Sequence, residues 1–153
     1  MDYPPLCAYV HLVMGTIIKK LSPAALQTRG YMNDEYVSIM RLFVVLLEFA
    51  VFVPGYLKLV TAFSHTTRIN RHGLLFGVLM IPPVVFVDHG HFQFNQVMHG
   101  LVVWGIAFMF SGQLELAVIA MVLAINFKQM ALYFALPFGV YALTIVWKRA
   151  AKG

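Results

Sequence analysis

Residues 73–95 read GLLFGVLMIPPVVFVDHGHFQFN, and they indicate both the class of protein and a candidate site. The first fifteen residues carry no charge, whereas the last eight hold one acid, two imidazoles and two amides. Ionisable side chains at the edge of a long apolar run are costly to place there, so they usually mark a working site. The alternative is an interfacial loop whose polar side chains only face lipid headgroups. We call residues 88–95 the polar octet.

The composition predicts a protein that crosses a membrane several times. Hydrophobic residues make up 61% of the 153 residues and charged residues only 11%, whereas soluble domains average about half and about a quarter. The net charge of +5 is spread along the chain. No basic run alternates with aromatic residues, which argues against a nucleic-acid partner. The single cysteine, Cys7, cannot form a disulfide within the chain.

Apolar segments predict an interfacial helix followed by about five transmembrane helices in one lipid bilayer. Residues 6–18 are apolar but too few to cross a bilayer, which needs about 20 residues, so they predict a helix that lies in the interface. The five further segments fall at residues 36–63, 73–87, 96–110, 116–127 and 130–147. Some are short, so either they borrow flanking residues or one of them is re-entrant. Pro82-Pro83 should bend the second segment into the polar octet.

This pattern divides the chain into a loop region with the interfacial helix, residues 1–35, and a transmembrane helical bundle, residues 36–153. Two basic clusters follow the first and fifth spans, and the positive-inside rule assigns both to the cytosol. They are Arg68 with Arg71, and Lys148 with Arg149 and Lys152. With five crossings, residues 2–5, the polar octet and residues 127–130 then share the opposite side. A re-entrant fourth segment would break this inference.

The polar side chains on that side suit a polyhydroxylated or phosphorylated ligand. The amides of Gln93, Asn95 and Gln129 donate and accept hydrogen bonds, as sugar hydroxyls require. Lys128 or a protonated histidine is suited to a phosphate, and an aspartate can take a proton from an attacking hydroxyl. Aromatic residues interleave with these groups and suit either sugar faces or an interfacial belt; they are Tyr3, Phe92, Phe94 and Tyr133.

Other kinds of site find less support. Asp88, His89 and His91 are possible metal ligands, but neighbouring ligands on an irregular segment need not point at one centre, and no HExxH spacing occurs. A Gly-x-Ser-x-Gly elbow and a phosphate-binding glycine loop are also missing from the sequence. A small transporter or proton channel is a further hypothesis, with His89, His91 and His99 as a relay, because His91 and His99 are spaced to share a helical face.

Several motifs occur in an order that resembles a known enzyme family. They are Asp2-Tyr3-Pro4-Pro5-Leu6, Arg29-Gly30-Tyr31, Met40-Arg41, the polar octet and Phe127-Lys128-Gln129-Met130. Over nearly the whole chain they strongly resemble the endoplasmic-reticulum dolichyl-phosphate-glucose-dependent α-1,3-glucosyltransferases of asparagine-linked glycosylation. Gly90, between the two histidines, is typical of the enzyme that adds the first glucose. The enzyme that adds the second glucose more often has a bulkier residue there.

The resemblance implies an all-α, polytopic membrane protein with part of a C-type glycosyltransferase fold and a luminal active side. A hydroxyl of the dolichyl-pyrophosphate-linked oligosaccharide would attack the anomeric carbon of dolichyl-phosphate-glucose with inversion, without a metal or other cofactor. Together with the pocket chemistry, it makes Asp2, Asp88 and His91 the expected catalytic residues. The expected substrate-binding residues are Tyr3, His89, Gln93, Asn95, Lys128 and Gln129.

The chain also departs from the family's pattern. The family's first span and the acidic loop motif where the general base is expected would lie before Met1, and the C-terminal half is also absent. We therefore expect a fragment that is inactive alone. Phe94 stands where tyrosine is usual, and Glu48 replaces a usual aspartate. The functions left open are the first-glucose enzyme, the second-glucose enzyme, an inactive remnant and a histidine-relay transporter.

Overall fold

The computed structural model describes residues 4–23, 34–63, 70–82 and 84–151. Its helices are α1 (Pro5–Leu21), α2 (Asp34–Phe63), α3 (Arg71–Leu79), α4 (Asn95–Phe110), α5 (Leu114–Phe127) and α6 (Leu132–Ala150). A π-helix, Val84–His89, precedes α4, and a 3₁₀ turn, Gln129–Ala131, joins α5 to α6. These described ranges contain no strand, and the predicted all-α class is confirmed.

Helix α1 corresponds to the predicted interfacial helix. Proline favours a first helical turn because its φ is fixed and its missing N–H is not needed there, and Pro5 opens this helix. Lys19 and Lys20 lie in the last turn, where cations complement the helix dipole. One face is buried through Cys7, Met14 and Ile18, whereas Tyr9, Leu12 and Val13 are exposed. The buried face packs against the rest of the chain, and the exposed apolar side chains are available to a bilayer. The interfacial location of α1 stays a prediction.

Helices α2 and α4 pack closely because of two glycines. A Cβ on Gly100 would lie 2.8 Å from the Cα of Phe52, and a Cβ on Gly55 would lie 2.8 Å from the ring of Trp104. Small residues permit such backbone approach between membrane helices. The indole N–H of Trp104 also donates to the backbone oxygen of Val51 at 3.0 Å. This contact fixes α2 against the helix that follows the polar octet.

The second apolar segment is interrupted near Pro82, where the sequence predicted a bend. Helix α3 begins after Asn70, whose side-chain oxygen accepts the N–H of Gly73 at 3.0 Å. It ends at Leu79, shortly before Pro82. The chain is helical again from Val84, where it forms a π-helix. A π-helix is wider than an α-helix and is often found at functional sites.

Among the residues that the structure describes, two helices are long and apolar enough to cross a membrane, namely Asp34–Phe63 and the stretch Gln129–Ala150. Only 17% and 6% of their most apolar windows are buried inside the chain, so burial in a soluble core does not account for their composition. Helices α4 and α5 are apolar but shorter. The count of five crossings stays a prediction.

The helix ends fall into two groups. At one end, Phe110 contacts Phe63 with ring centroids 4.6 Å apart, and Arg149 donates to the backbone oxygen of Gly112 at 2.9 Å. The ends of α2, α4 and α6 therefore meet there. At the other end, residue 128 contacts the polar octet, as the parity argument predicted. The membrane side of each end stays a prediction.

Candidate functional site

Lys128 joins the end of α5 to the polar octet. Its ammonium donates to the backbone oxygen of Gln93 at 2.7 Å, to the side-chain oxygen of Gln93 at 3.4 Å, and to the side-chain oxygen of Asn95. Lys128 is only 6% exposed. Burial lowers the pKa of the Lys128 ammonium, and the nearby Asp88 carboxylate partly offsets this effect. The predicted juxtaposition of Lys128 with the octet amides is therefore present.

Asp88 anchors the start of α4. It is 1% exposed, and both carboxylate oxygens are used: Oδ1 accepts from the Asn95 amide at 2.7 Å, and Oδ2 accepts from the Gln96 backbone N–H at 2.7 Å. A carboxylate at a helix N-terminus satisfies a backbone donor and favours the helix dipole. Asp88, Asn95 and Lys128 thus form one continuous network in which Asp88 and Lys128 are buried and Asn95 is partly buried.

The backbone between these groups adopts an unusual conformation. Phe92 has a φ of +57° and Phe94 a φ of +54°, in the left-handed region that bulky residues rarely occupy. Phe94 is buried and packs edge-on against the ring of His11, with centroids 5.4 Å apart. Such strain persists where surrounding contacts enforce it, and it clusters at functional sites. The sequence carries no signal for it, because neither position is glycine or asparagine.

Glu48 is a member of the site that sequence reasoning missed. It lies on α2, is 1% exposed, and its Oε2 lies 2.5 Å from the Nε2 of His89. Its other oxygen, Oε1, has no hydrogen-bond partner within the described residues. The available signal was an acid in the middle of an apolar span. The two residues are 41 positions apart, which is why local pattern reading did not pair them.

The remaining predicted residues are placed differently. His91 is exposed and makes no hydrogen bond to the part of the chain that the structure describes, and Gln129 is exposed in the 3₁₀ turn. Asp2 and Tyr3 lie outside the described residues. Asp88, His89 and His91 do not form a metal-ligand group, since no cluster of three or more potential ligands occurs among residues 4–23, 34–63, 70–82 and 84–151.

The arrangement separates two kinds of polar side chain. The buried ones, Asp88 and Lys128, are linked through Asn95, whose amide donates to Asp88 and whose side-chain oxygen accepts from Lys128. The accessible ones are His91 and Gln129, together with the half-buried His89 and Gln93. A small cavity of about 130 Å³ adjoins the network and is lined by Val84, Val87, Asp88, Asn95, Gln96 and His99. The buried group can hold the site rigid, while the accessible group can contact a ligand.

Comparison with known proteins extends over the whole site. The Gallus gallus dolichyl pyrophosphate Man9GlcNAc2 alpha-1,3-glucosyltransferase is 33% identical over 156 residues, which cover 100% of this chain and 31% of that protein. The probable enzyme of the same name from Schizosaccharomyces pombe is 38% identical over 149 residues, covering 94% of this chain and 29% of that protein. The corresponding Dictyostelium discoideum protein is 34% identical over 147 residues, covering 94% and 28%.

This chain therefore spans about a third of the length of the curated relatives that it matches. The family model for the ALG6, ALG8 glycosyltransferase family matches residues 1–152. That match includes the polar octet, Glu48 on α2 and Lys128 after α5. Since it extends over all but one of the 153 residues, the chain belongs to the ALG6, ALG8 glycosyltransferase family.

Proposed function

We propose that this chain forms part of an enzyme that transfers glucose, in α-1,3 linkage and with inversion, from dolichyl-phosphate-glucose to the dolichyl-pyrophosphate-linked high-mannose oligosaccharide. The reaction takes place on the luminal side of the endoplasmic-reticulum membrane, which the protein crosses several times. The observation that carries the proposal is the alignment of the whole chain with a relative named as a dolichyl pyrophosphate Man9GlcNAc2 alpha-1,3-glucosyltransferase. That relative's name gives Man9GlcNAc2 as the acceptor, an oligosaccharide without glucose, which supports addition of the first glucose.

The accessible side chains of the polar octet suit this reaction. An acceptor hydroxyl forms a bond to the anomeric carbon while the bond from that carbon to the phosphate oxygen breaks, and the electron pair stays on the phosphate. Exposed His91 is our candidate to assist the attacking hydroxyl, together with Asp2. Gln93 and Gln129 are candidates to bind sugar hydroxyls. The buried side chains of Asp88 and Lys128 hold these groups in place.

A chimera tests this proposal. The matched segment of the Schizosaccharomyces pombe relative is replaced by this chain, and the chimera is expressed in cells from which that relative has been deleted. Lipid-linked oligosaccharides are then sized by mass spectrometry, and the linkage is determined by glucosidase digestion. We expect Man9GlcNAc2 to gain one α-1,3-linked hexose. Membranes from these cells are also given monoglucosylated acceptor, and a gain of hexose on that acceptor alone would favour the second-glucose enzyme. No gain of hexose on either acceptor by a folded, membrane-inserted chimera would contradict both assignments.

A further inference from the structure

Glu48 is a buried acid whose interactions are incomplete. It lies on the apolar helix α2, and only one of its two carboxylate oxygens has a hydrogen-bond partner within the described ranges. A buried polar atom without a partner costs free energy. Ionisable residues inside membrane helices are accordingly rare, and they usually serve a function through a specific partner. For Glu48 that partner is His89.

His89 connects this buried acid to the accessible surface of the polar octet. Its Nε2 faces Glu48, while 27% of its side chain remains exposed. Its second nitrogen, Nδ1, makes no hydrogen bond to the residues that the structure describes, and this atom is not enclosed by the protein. One nitrogen is thus held by α2, and the other is available to a ligand. A protonated imidazole donates from both nitrogens.

We propose that Glu48 is a positioning residue for His89, and that His89 donates from Nδ1 to a phosphate oxygen of the polyprenyl-phosphate sugar donor. The inference rests on the proposed function, because it identifies the phosphate partner within that site. When it is protonated, the imidazole of His89 is placed between two anions, the Glu48 carboxylate and the phosphate. Hydrogen bonds between charged groups are about twice as strong as neutral ones. The carboxylate also fixes the orientation of the ring, as carboxylates bound to one ring nitrogen do for other functional histidines.

This arrangement stabilises the negative charge that develops on the phosphate during the reaction. When the bond between the anomeric carbon and the phosphate oxygen breaks, the electron pair remains on the phosphate. The Nδ1–H of His89 then donates a stronger hydrogen bond to the leaving phosphate, and no proton needs to be transferred. Donors that are already positioned where charge develops are an effective source of transition-state stabilisation.

Lys128 is less suited to the phosphate than His89. Its ammonium already donates to three oxygen atoms of Gln93 and Asn95, and it is only 6% exposed. To bind a phosphate it would have to leave a network that holds the strained turn between Phe92 and Phe94. The octet side chain that combines a buried carboxylate partner with an accessible nitrogen is therefore His89.

Binding of two matched probes tests the inference. Citronellyl phosphate and citronellol share one short isoprenoid chain, and only the first carries a phosphate. We expect the full chain in detergent to bind citronellyl phosphate more tightly than citronellol. Glu48→Gln keeps a hydrogen-bond acceptor for His89 but removes its charge. It should weaken citronellyl phosphate binding about tenfold, or about 1.4 kcal/mol, and leave citronellol binding unchanged. Glu48→Asp should recover part of the loss.

Controls separate positioning from a purely structural role. Glu115→Gln removes an exposed acid from α5 and should not change the binding of either probe. The double variant Glu48→Gln/His89→Gln should bind citronellyl phosphate no more weakly than His89→Gln alone, because both changes remove one shared contact. A lower melting temperature of Glu48→Gln with unchanged phosphate preference would overturn the inference. So would a wild-type chain that does not prefer the phosphate. The chimera's gain of hexose decides the proposed function independently.

Discussion

Single residues of the polar octet differ in whether their side chains face the interior of the protein or its surface. Asp88 is buried, and its two carboxylate oxygens accept hydrogen bonds from Asn95 and Gln96. His91, three positions later, is exposed. Substitution of the first should disturb the folded structure, because it leaves buried donors without acceptors. Substitution of the second should leave the folded structure intact. The same eight residues therefore combine structural and catalytic candidates.

This difference leads to a prediction for His91→Ala in the chimera described above. If His91 assists the attacking hydroxyl, turnover per folded molecule should fall about a hundredfold, while the inserted amount and the melting temperature in detergent stay at the wild-type values. Turnover and melting temperature are measured on one preparation. Asp88→Asn should instead lower the melting temperature. His72→Ala, at an exposed position on α3, is the matched control. Unchanged turnover of His91→Ala would contradict the catalytic role.

At the scale of elements, the contact between α2 and α4 sets the geometry of the site. Glu48 lies on α2, and α4 begins at Asn95 within the octet. Their separation is set by Gly100, where an added Cβ would lie 2.8 Å from the backbone of Phe52. A backbone neighbour cannot move aside as a flexible side chain can. The position of the buried acid relative to His89 thus depends on a close approach four positions along α2 from Glu48.

Gly100→Ala should therefore destabilise the protein by about 1–3 kcal/mol, which would appear as a lower melting temperature in detergent. Because α2 and α4 must separate, the variant should also weaken citronellyl phosphate binding. Gly77→Ala on α3 is the control, since an added Cβ there meets nothing within 4 Å. It should be neutral or slightly stabilising, as alanine favours a helix over glycine. Equal melting temperatures for the two variants would show that the helices adjust freely.

The helices were predictable from the sequence, while the interior of the site was only partly so. Apolar run lengths predicted α1 and the later helices, and Pro82 marked the division of the second segment because proline interrupts a helix. The proximity of Lys128 to the octet followed from the parity of the spans. The Glu48–His89 pair and the left-handed φ at Phe94 did not follow, because both depend on contacts between distant segments. Local propensity carries no information about such contacts.

On the scale of the whole molecule, the chain has one polar end and one basic end. The polar end contains the octet and Lys128, and the basic end contains Lys148 and Arg149 in the last turn of α6. The turn at residues 111–113, between α4 and α5, lies at the basic end through the contact of Arg149 with Gly112. The positive-inside rule then predicts a cytosolic turn at residues 111–113 and a luminal Gln129.

Cysteine labelling tests this orientation, because the only native cysteine, Cys7, is buried and can be replaced by serine. In sealed microsomes, an impermeant maleimide should label Gln113→Cys at once. Gln129→Cys should be labelled only after the membrane is permeabilised. Both positions are exposed in the folded chain, so accessibility within the protein does not confuse the result. The reverse labelling pattern would contradict the luminal assignment of the octet.

The buried acid on α2 also has a consequence for the order in which the protein is made. Glu48 leaves the ribosome 41 residues before His89, so α2 reaches the insertion machinery while its partner does not yet exist. A charged side chain at the centre of a membrane helix costs about 3 kcal/mol on insertion scales. We therefore expect release of α2 into lipid to become more favourable once residue 89 has arrived to pair with Glu48.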